Sequence, residues 1–497
     1  MSSAAVRPVI DVRAALRSPR LLRTEVLGGL VVALALIPEA ISFSVIAGVD
    51  PRVGLFAAVT MAMTIAIVGG RPAMISAATG SVALVVAPVA RQHGLDYLIA
   101  TVLLAGVFQI VLGTLRVGRL MRFVPRSVMV GFVNALGILL ALAQWDNLHD
   151  VPAVVYPLVA ITIVIIVAFP RVNKVLPAPL VAIVAITTIA WAGGLHVPMV
   201  SDEGKLPTSL PPFGLPDVPW NLHTLQVIAP YALGMALVGL LESLMTAKFV
   251  DDITDTRSDK DRESWGQGVA NLVSGLFGGM GGCAMIGQTM INVRQSGART
   301  RISTFLAGGF LLVLLLALSD VVGHIPMAAL AGVMLMVAVG TFDWHSLRTI
   351  ARMPRSETTV MVATVIVVVA TNNLAIGVGV GVIIAALLFA RRVAHLVTVD
   401  RELIEHATGS VTAHYRVRGE LFFASSNDFY SQFDYGQDPQ QVVIDFSDSH
   451  IWDASTVAAL DAVVTKYHEH HIDVDVEGLN PASNSMYQRL TGHLTSH

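Results

Sequence analysis

Two glutamates stand where carboxylates are costly. Glu39 follows an apolar run that begins near Leu30, and Glu242 sits inside the apolar segment that follows Gly234. A charged carboxylate at the bilayer centre costs at least ~2.5–3.5 kcal/mol on insertion scales, so it needs a partner, a cavity or a proton. Burial disfavours the charged form of a carboxyl group and so favours uptake of a proton. The chemistry this suits is co-binding of a cation with an anion, because the proton removes the repulsion between carboxylate and anion. Sodium is the rival cation, with Glu242 and Thr246, one helical turn apart, as oxygen ligands. A third reading is structural, with Glu242 paired to a basic group such as Lys248. Phe43 lies four residues after Glu39 and therefore on the same helical face. It packs against a bound anion or belongs to the core.

A second set of residues can supply donors to that anion. Pro72-Ala73-Met74-Ile75-Ser76 recurs as Cys283-Ala284-Met285-Ile286-Gly287, 211 residues later (72 and 283). Glu39 and Glu242 are separated by a similar distance, 203 residues. Two similar offsets predict a duplicated unit of about seven spans, and an odd number of spans makes the copies inverted. The apolar helical stretches after each echo, near Gly80–Pro88 and Gln288–Val293, are too short to cross a bilayer alone. Both read as broken spans whose helices start at the midplane and point free amides and a positive dipole end at a cavity. Thr79 and Ser81 would add donors at one start, and Gly287, Gln288 and Thr289 form the other. The bland reading is that these small and polar residues only permit close helix packing.

The elements that must position these groups follow from composition. Of 497 residues 54% are hydrophobic and 13% charged, and mean hydropathy is +0.68. A soluble domain carries about 25% charged residues. The charge deficit ends near Arg391. The predicted division is a cytoplasmic lead-in at 1–24, a membrane domain at 25–395, a linker at 396–410 and a soluble domain at 411–497. About fourteen spans are expected, starting near 26, 52, 73, 96, 125, 151, 177, 226, 263, 284, 302, 325, 357 and 374. Twenty-four Lys and Arg fall in loops on the N-terminal side of that alternation, and only Arg52, Arg91 and Lys205 fall opposite. This bias places both ends inside the cell and makes Gly193–Leu225 the main external loop. The N-terminus lacks a signal-cleavage pattern. A net charge of -3 offers nothing to nucleic acid. Cys283 is the single cysteine, which excludes an intrachain disulfide and a cysteine-based metal site. No cofactor or metal is called for, and no nucleophile–base set suggests an enzyme.

The tail reads as a small α/β domain, with strands at Val411–Val417, Glu420–Phe423, Val442–Ile444 and Ile472–Val476 and a helix at Ser455–Tyr467. Ser455 is expected to cap that helix. His468, His470 and His471 lack a convincing ligand set. Gly377, Gly379 and Gly381 read as helix packing. Asp251, Asp252 and Asp255 read as a solvated face.

The chain resembles the SulP anion permeases, the bacterial relatives of the animal sulfate transporters, pendrin and prestin. The resemblance rests on LALIPEAISFSVIAGVDPRVGLFAA, GLLESLMTA and GGCAMIGQTMINVRQSGARTRIST, and on VVIDFSDSHIWDASTVAALDAV, which looks like the core of a STAS domain. It implies an all-α membrane domain of two inverted seven-span repeats, core and gate, followed by a cytoplasmic STAS domain. It further implies a homodimer in the bacterial inner membrane that moves its core like an elevator. The substrate would lie between the first, third, eighth and tenth spans, with Glu39 and Phe43 at substrate positions and Glu242 at the coupling-ion position. Thr246 matches a sodium-ligand position of bicarbonate-carrying relatives, where the acidic partner is Asp. Animal exchangers tend to carry Arg where this chain has Thr289, which turns the expectation toward coupled symport. Members of the family carry sulfate, bicarbonate, chloride or dicarboxylates, and an uncoupled anion channel is the functional rival. STAS domains bind partners or nucleotides, and Ser455 aligns with a Ser that some of them phosphorylate.

Overall fold

The computed structural model describes residues 12–116, 118, 124–145, 147–172, 177–203, 213–394, 397–405 and 410–491. Of the basic residues used to set the topology, Arg7, Arg119, Arg122, Lys174 and Lys205 lie outside the described residues. Contacts divide the chain into two units, Met1–Val382 and Ile383–His497. The division falls earlier than the expected boundary at 395, inside the last long apolar helix.

In the first unit a helix, or a two-residue strand followed by a helix, begins within several residues of each expected start. The order is α1 (Val12–Arg17), α2 (Pro19–Ala47), α3 (Pro51–Val68), β1 (Ser76–Ala77), α4 (Gly80–His93) and α5 (Leu95–Thr114). Then come α6 (Arg126–Leu142), α7 (Val155–Ala168), α8 (Ala178–Ala192), α9 (Leu222–Thr254) and α10 (Lys260–Leu276). After them follow β2 (Cys283–Ala284), α11 (Ile286–Met290) with a wider turn over Ile291–Gln295, α12 (Arg301–Gly323) and α13 (Met327–Thr341). The short α14 (Trp344–Thr349), α15 (Arg355–Thr371) and α16 (Leu374–Ala394) complete the series. Six helices among the described residues are long and apolar enough to cross a membrane by length and composition, and four shorter apolar helices accompany them.

These helices pack as two bundles. One gathers α2, α3, α4, α5, α9, α10 and α12; the other gathers α6, α7, α8, α13 and α15. Glycines let helices meet within the first bundle: a Cβ on Gly106 of α5 would lie 2.8 Å from the Gly268 carbonyl of α10. Of the three glycines expected to pack a helix, Gly377 and Gly381 of α16 face Val368 and Thr364 of α15, whereas a Cβ on Gly379 would meet nothing within 4 Å. Of the external loop, Met199 bridges to Pro326, and Gly214 N donates to Leu276 O.

The second unit carries a four-stranded sheet in the order β3 (Thr398–Glu405), β4 (Val411–Leu421), β5 (Gln441–Ile451), β6 (Asp473–Glu477). β3 pairs antiparallel with β4, and the remaining pairs are parallel. α17 (Ser426–Tyr430), α18 (Ala454–Glu469) and α19 (Pro481–Leu490) connect and follow them. Three expectations are corrected. Much of the expected linker at 396–410 is the strand β3; residues 396 and 406–409 lie outside the described residues. The two strands expected between 411 and 423 are one, bent by a bulge between Arg416 and Arg418. Asp453, not Ser455, caps α18, accepting from Thr456 N. Asp453 is the last extended residue, so its side chain reaches the first turn while Ser455 is already inside it.

This domain is locked by Asp438, whose side chain is fully buried. It accepts from Tyr415 Oη at 2.6 Å and Tyr467 Oη at 2.5 Å, and it pairs with Arg401 at 2.7 Å. Burial first, and the bond to Asp438 second, hold the Tyr467 phenol far above its ordinary value. Tyr467 therefore stays a neutral donor, and the stabilisation is fully present below about pH 10 and lost as pH rises through the raised value. Replacing Asp438 by Ala strips Arg401 and both phenols of their acceptor and should cost roughly 3 kcal/mol. Faster hydrogen exchange across 411–421 and 441–451 in the full-length protein is the expected readout; unchanged protection would refute the assignment.

Candidate functional site

The two broken spans cross. β1 and β2 pair antiparallel, Ser76 with Ala284 and Ala77 with Cys283. Extended backbone at membrane depth is tolerated only when its polar groups find partners in protein, and here they do. Met285 N donates to Ile75 O at 2.8 Å, and Ala284 N donates to Ser243 Oγ at 3.1 Å. Asn271 of α10 clamps Gly282 on both sides, giving Nδ2 to its carbonyl at 3.0 Å and accepting its amide at 2.8 Å. Asn292 Nδ2 reaches Ala73 O at 2.8 Å, and Gln267 Nε2 reaches Ser76 Oγ at 2.7 Å. Gly282 is required by contact: a Cβ there would lie 1.8 Å from Ala77 O.

Because the strands are antiparallel, α4 and α11 leave the crossing in opposite directions. Thr79 caps α4, its Oγ accepting from Val82 N. The helical ladder leaves the first amides of each helix without partners inside it, and the positive dipole ends lie at the crossing.

The two glutamates address these helix starts in a crossed pattern. Glu39 is the twentieth residue after Pro19 at the start of α2, and Glu242 the twentieth after Leu222 at the start of α9. Gln288 of α11 is the side chain that faces the Glu39 carboxyl group. Glu242 accepts from Ser81 of α4 and, at 3.1 Å, from Cys283 Sγ. Ser81 comes five residues after the start of β1 at Ser76, and Gln288 five after the start of β2 at Cys283. Each carboxylate thus faces a polar side chain of the broken span of the other half, at equivalent positions, and Glu242 also takes the thiol of its own half. Strand starts at 76 and 283 set the local repeat offset at 207, not 211. The Ala-Met-Ile echo is therefore displaced by four residues from the structural register and does not mark equivalent positions.

The remaining expected residues divide. Phe43 is buried, and its Cε1 lies 3.0 Å from where a Cβ on Gly80 would stand, with Leu140 of α6 on the same spot at 2.6 Å. The start of α4 therefore sits where the two bundles meet. Gly287, the counterpart of Gly80, has no atom within 4 Å of a Cβ position and is exposed, so open space begins at the first turn of α11. Thr289 is fully buried and its Oγ accepts from Ile75 N at 3.0 Å; it holds the crossing together. Thr246 Oγ donates to its own helix at Glu242 O, 2.8 Å away, not to the carboxylate. Lys248 is exposed, and among the described residues no ion pair joins it to Glu242.

Sequence reasoning missed the clamps Gln267, Asn271 and Asn292, and it missed the thiol of Cys283, which also lies 3.2 Å from Thr79 Oγ. It also missed Glu25, buried at 3% exposure, which accepts from the amides of Arg299, Thr300 and Ser303 ahead of and within α12. Asp251, expected on a solvated face, instead holds Arg71 at 3.1 Å and Lys260 at 2.7 Å; Asp252 and Asp255 are exposed.

The sequence model of the sulfate permease family matches residues 22–152 and 145–364, and that of the STAS domain matches 405–493. A putative sulfate transporter of Bacillus subtilis, YbaR, is 49% identical over 94% of this chain and 97% of its own. The bicarbonate transporter BicA of a Picosynechococcus is 30% identical over 79% of this chain and 74% of its own. Among solved structures, the transmembrane domain of a cyanobacterial BicA superposes with a TM-score of 0.64 at 28% identity, over 73% of this chain and 98% of that one. Murine Slc26a9, described as an anion transporter in the inward-facing state, gives 0.79 at 15% identity over 94% of this chain and 87% of that one. At that identity the second likeness is one of fold.

Two glycines separate architecture from site. Gly282→Ala should break the crossing and lower the melting temperature of the purified protein by several degrees, since no rotamer relieves a clash with backbone. Gly287→Ala should fold as well as the parent or slightly better, gaining up to about 1 kcal/mol of helix propensity. Differential scanning fluorimetry in detergent distinguishes them; equal melting of the two variants would refute the crossing geometry.

Proposed function

The chain belongs to the sulfate permease family and carries a C-terminal STAS domain, and from that premise we propose that it is a proton-coupled symporter of a small oxyanion. Anion transport itself is the common property of its relatives, which are named as sulfate and bicarbonate transporters. The finer reading rests on one observation: each intramembrane carboxylate faces the start of the opposite broken helix, Glu242 through a hydrogen bond from Ser81 and Glu39 opposite Gln288. An anion between the two amino ends meets amides and positive dipole ends, and it needs the neighbouring carboxylates neutralised. A proton does this without a coordination shell.

Sodium is supported less well. It needs converging oxygens, and around Glu242 one neighbour is a thiol while Thr246 faces its own helix. The anion is a sulfate, bicarbonate or dicarboxylate; the open space at Gly287 does not discriminate among them. In this reading the two bundles act as core and gate in two inverted seven-span repeats, the core moves like an elevator, and the protein works as a homodimer in a bacterial inner membrane with the STAS domain cytoplasmic.

In proteoliposomes containing a pH dye, substrate entry should acidify the lumen, and replacing sodium by choline should leave uptake unchanged. Glu242→Gln and Glu39→Gln should each abolish acidification and flatten the pH dependence of uptake, with uptake at the optimal pH reduced by about tenfold or more, equivalent to 1.4 kcal/mol. If both variants retain pH-dependent uptake, the coupling assignment fails. A voltage-driven current without acidification would instead make the protein a channel. Thermal shifts with sulfate, bicarbonate, fumarate and succinate at two pH values would identify the anion.

A further inference from the structure

A groove of about 700 Å³ lies apart from the crossing, among α5, α9, α10 and the chain leading into α9. Its wall on α5 is Ala100, Leu103, Leu104 and Val107, one face of the helix at helical spacing. Leu272 and Leu276 of α10 form the opposite wall, and Leu225 and Ile228 of α9 close the third side. The mouth carries Trp220, 66% exposed.

The lining dictates the chemistry of what fills it. Its two polar side chains spend their bonds locally: Thr224 Oγ donates to Pro219 O at 2.6 Å, and Asn221 Oδ1 accepts from Thr224 N at 2.9 Å. Apart from the Trp220 indole and the side chain of exposed Asn221, what remains is hydrocarbon, so an occupant gains mainly by burying apolar surface.

Depth and continuity name the source. The distribution of Lys and Arg puts the start of α5 on the external side. Val107 lies twelve residues below Leu95, about 18 Å at 1.5 Å per residue, against a half-thickness of about 15 Å for the hydrocarbon core. The groove therefore runs from the external headgroup level to about the midplane, the reach of one outer-leaflet chain. It opens onto the lipid-facing flank of the same helices, where Val107, Val111, Leu233 and Leu237 are all more than 40% exposed. Trp220 at its mouth is the residue type that settles at a membrane interface.

We propose that this groove holds one acyl chain of an outer-leaflet phospholipid as a defined site. The chain lies against α10 at Leu272 and Leu276. The existence of the site does not depend on which ion or anion is carried.

The test reconstitutes the full chain in vesicles of palmitoyl-oleoyl phosphatidylethanolamine with a minority of phosphatidylglycerol. A trace of phosphatidylglycerol bearing a diazirine at mid-chain is added, and adducts are mapped after irradiation. Peptides covering 95–107 and 215–228 should carry about tenfold more label per residue than those covering α7, a difference of 1.4 kcal/mol in preference. α7 is a fair reference because Tyr156, Val164 and Val167 are as exposed and apolar. Leu225→Trp, placed on a half-exposed wall so that folding is spared, should bring the label down to the α7 level. Labelling equal to α7 in the parent, or unchanged by Leu225→Trp, overturns the proposal. So does protein–protein crosslinking through the groove, which would assign it to a second copy, or protection by the chain's own external loop.

Discussion

Everything at the site depends on one constraint: backbone that is not helical cannot face hydrocarbon. Two extended residues in each half satisfy this by pairing with each other, Ser76 with Ala284 and Ala77 with Cys283. So short a ladder cannot hold itself, because an isolated two-stranded pairing is marginal even at hairpin length. The surrounding helices supply what it lacks. Asn271, Gln267, Asn292, Ser243 and Thr289 each give a side-chain bond to the crossing segments. Buried bonds of this kind matter less for what they add than for what their loss leaves unpaired. The crossing is thereby a fixed point from which α4 and α11 start.

The end of the same bundle at which α3 finishes applies the same principle to helix termini. The last carbonyls of α3 and its exit are met by arginines: Arg262 reaches Ile67 O and Val68 O, and Arg301 reaches Ala66 O and Gly69 O. The amides of Gly70 and Arg71 that follow are accepted by Glu263 at 2.7 and 3.0 Å. Cations at a helix carboxyl end and an anion at free amides both suit the local dipoles. Two of the arginines counted in the charge alternation, Arg262 and Arg301, are therefore also structural, because they close the carboxyl end of α3.

What could be read in the sequence was whatever carries a local penalty. Glu39 and Glu242 stand out because charge in an apolar run is expensive, and helix starts near 80 and 288, the second observed at 286, stand out because Gly and Thr interrupt such runs. The register of the repeat was misread because Ala, Met and Ile are cheap to match, whereas the equivalence of Ser81 with Gln288 links unlike side chains. The clamps were invisible for a different reason: Gln267 and Asn271 meet residues 191 and 11 positions away, and a single polar residue in a span looks like packing. β3 is not legible because seven of its eight residues face solvent, so no alternation of burial exists to be read. Ser455 was taken for the cap because it and Asp453 are both competent, and only the start of α18 decides between them.

The chemistry of the groups around the two carboxylates bears on how protonation can be tolerated there. Gln288 has both an amide donor and a carbonyl acceptor, and Ser81 and Cys283 can each donate or accept. None is a fixed cation. A carboxylate held by Arg or Lys would gain from staying charged, and protonating it would leave an unpaired buried cation, which is costly. A carboxylate held by a hydroxyl, a thiol and an amide loses little when it takes a proton, since its partners reverse the direction of their bonds. Thr79 extends this on one side: it lies 3.1 Å from Ser81 Oγ and 3.2 Å from Cys283 Sγ while its own oxygen caps α4. A change of bond direction at Glu242 is therefore felt within two hydrogen bonds at the amino end of α4. That short path is the physical support for the proposal that a proton at the carboxylate is coupled to an anion at the helix end.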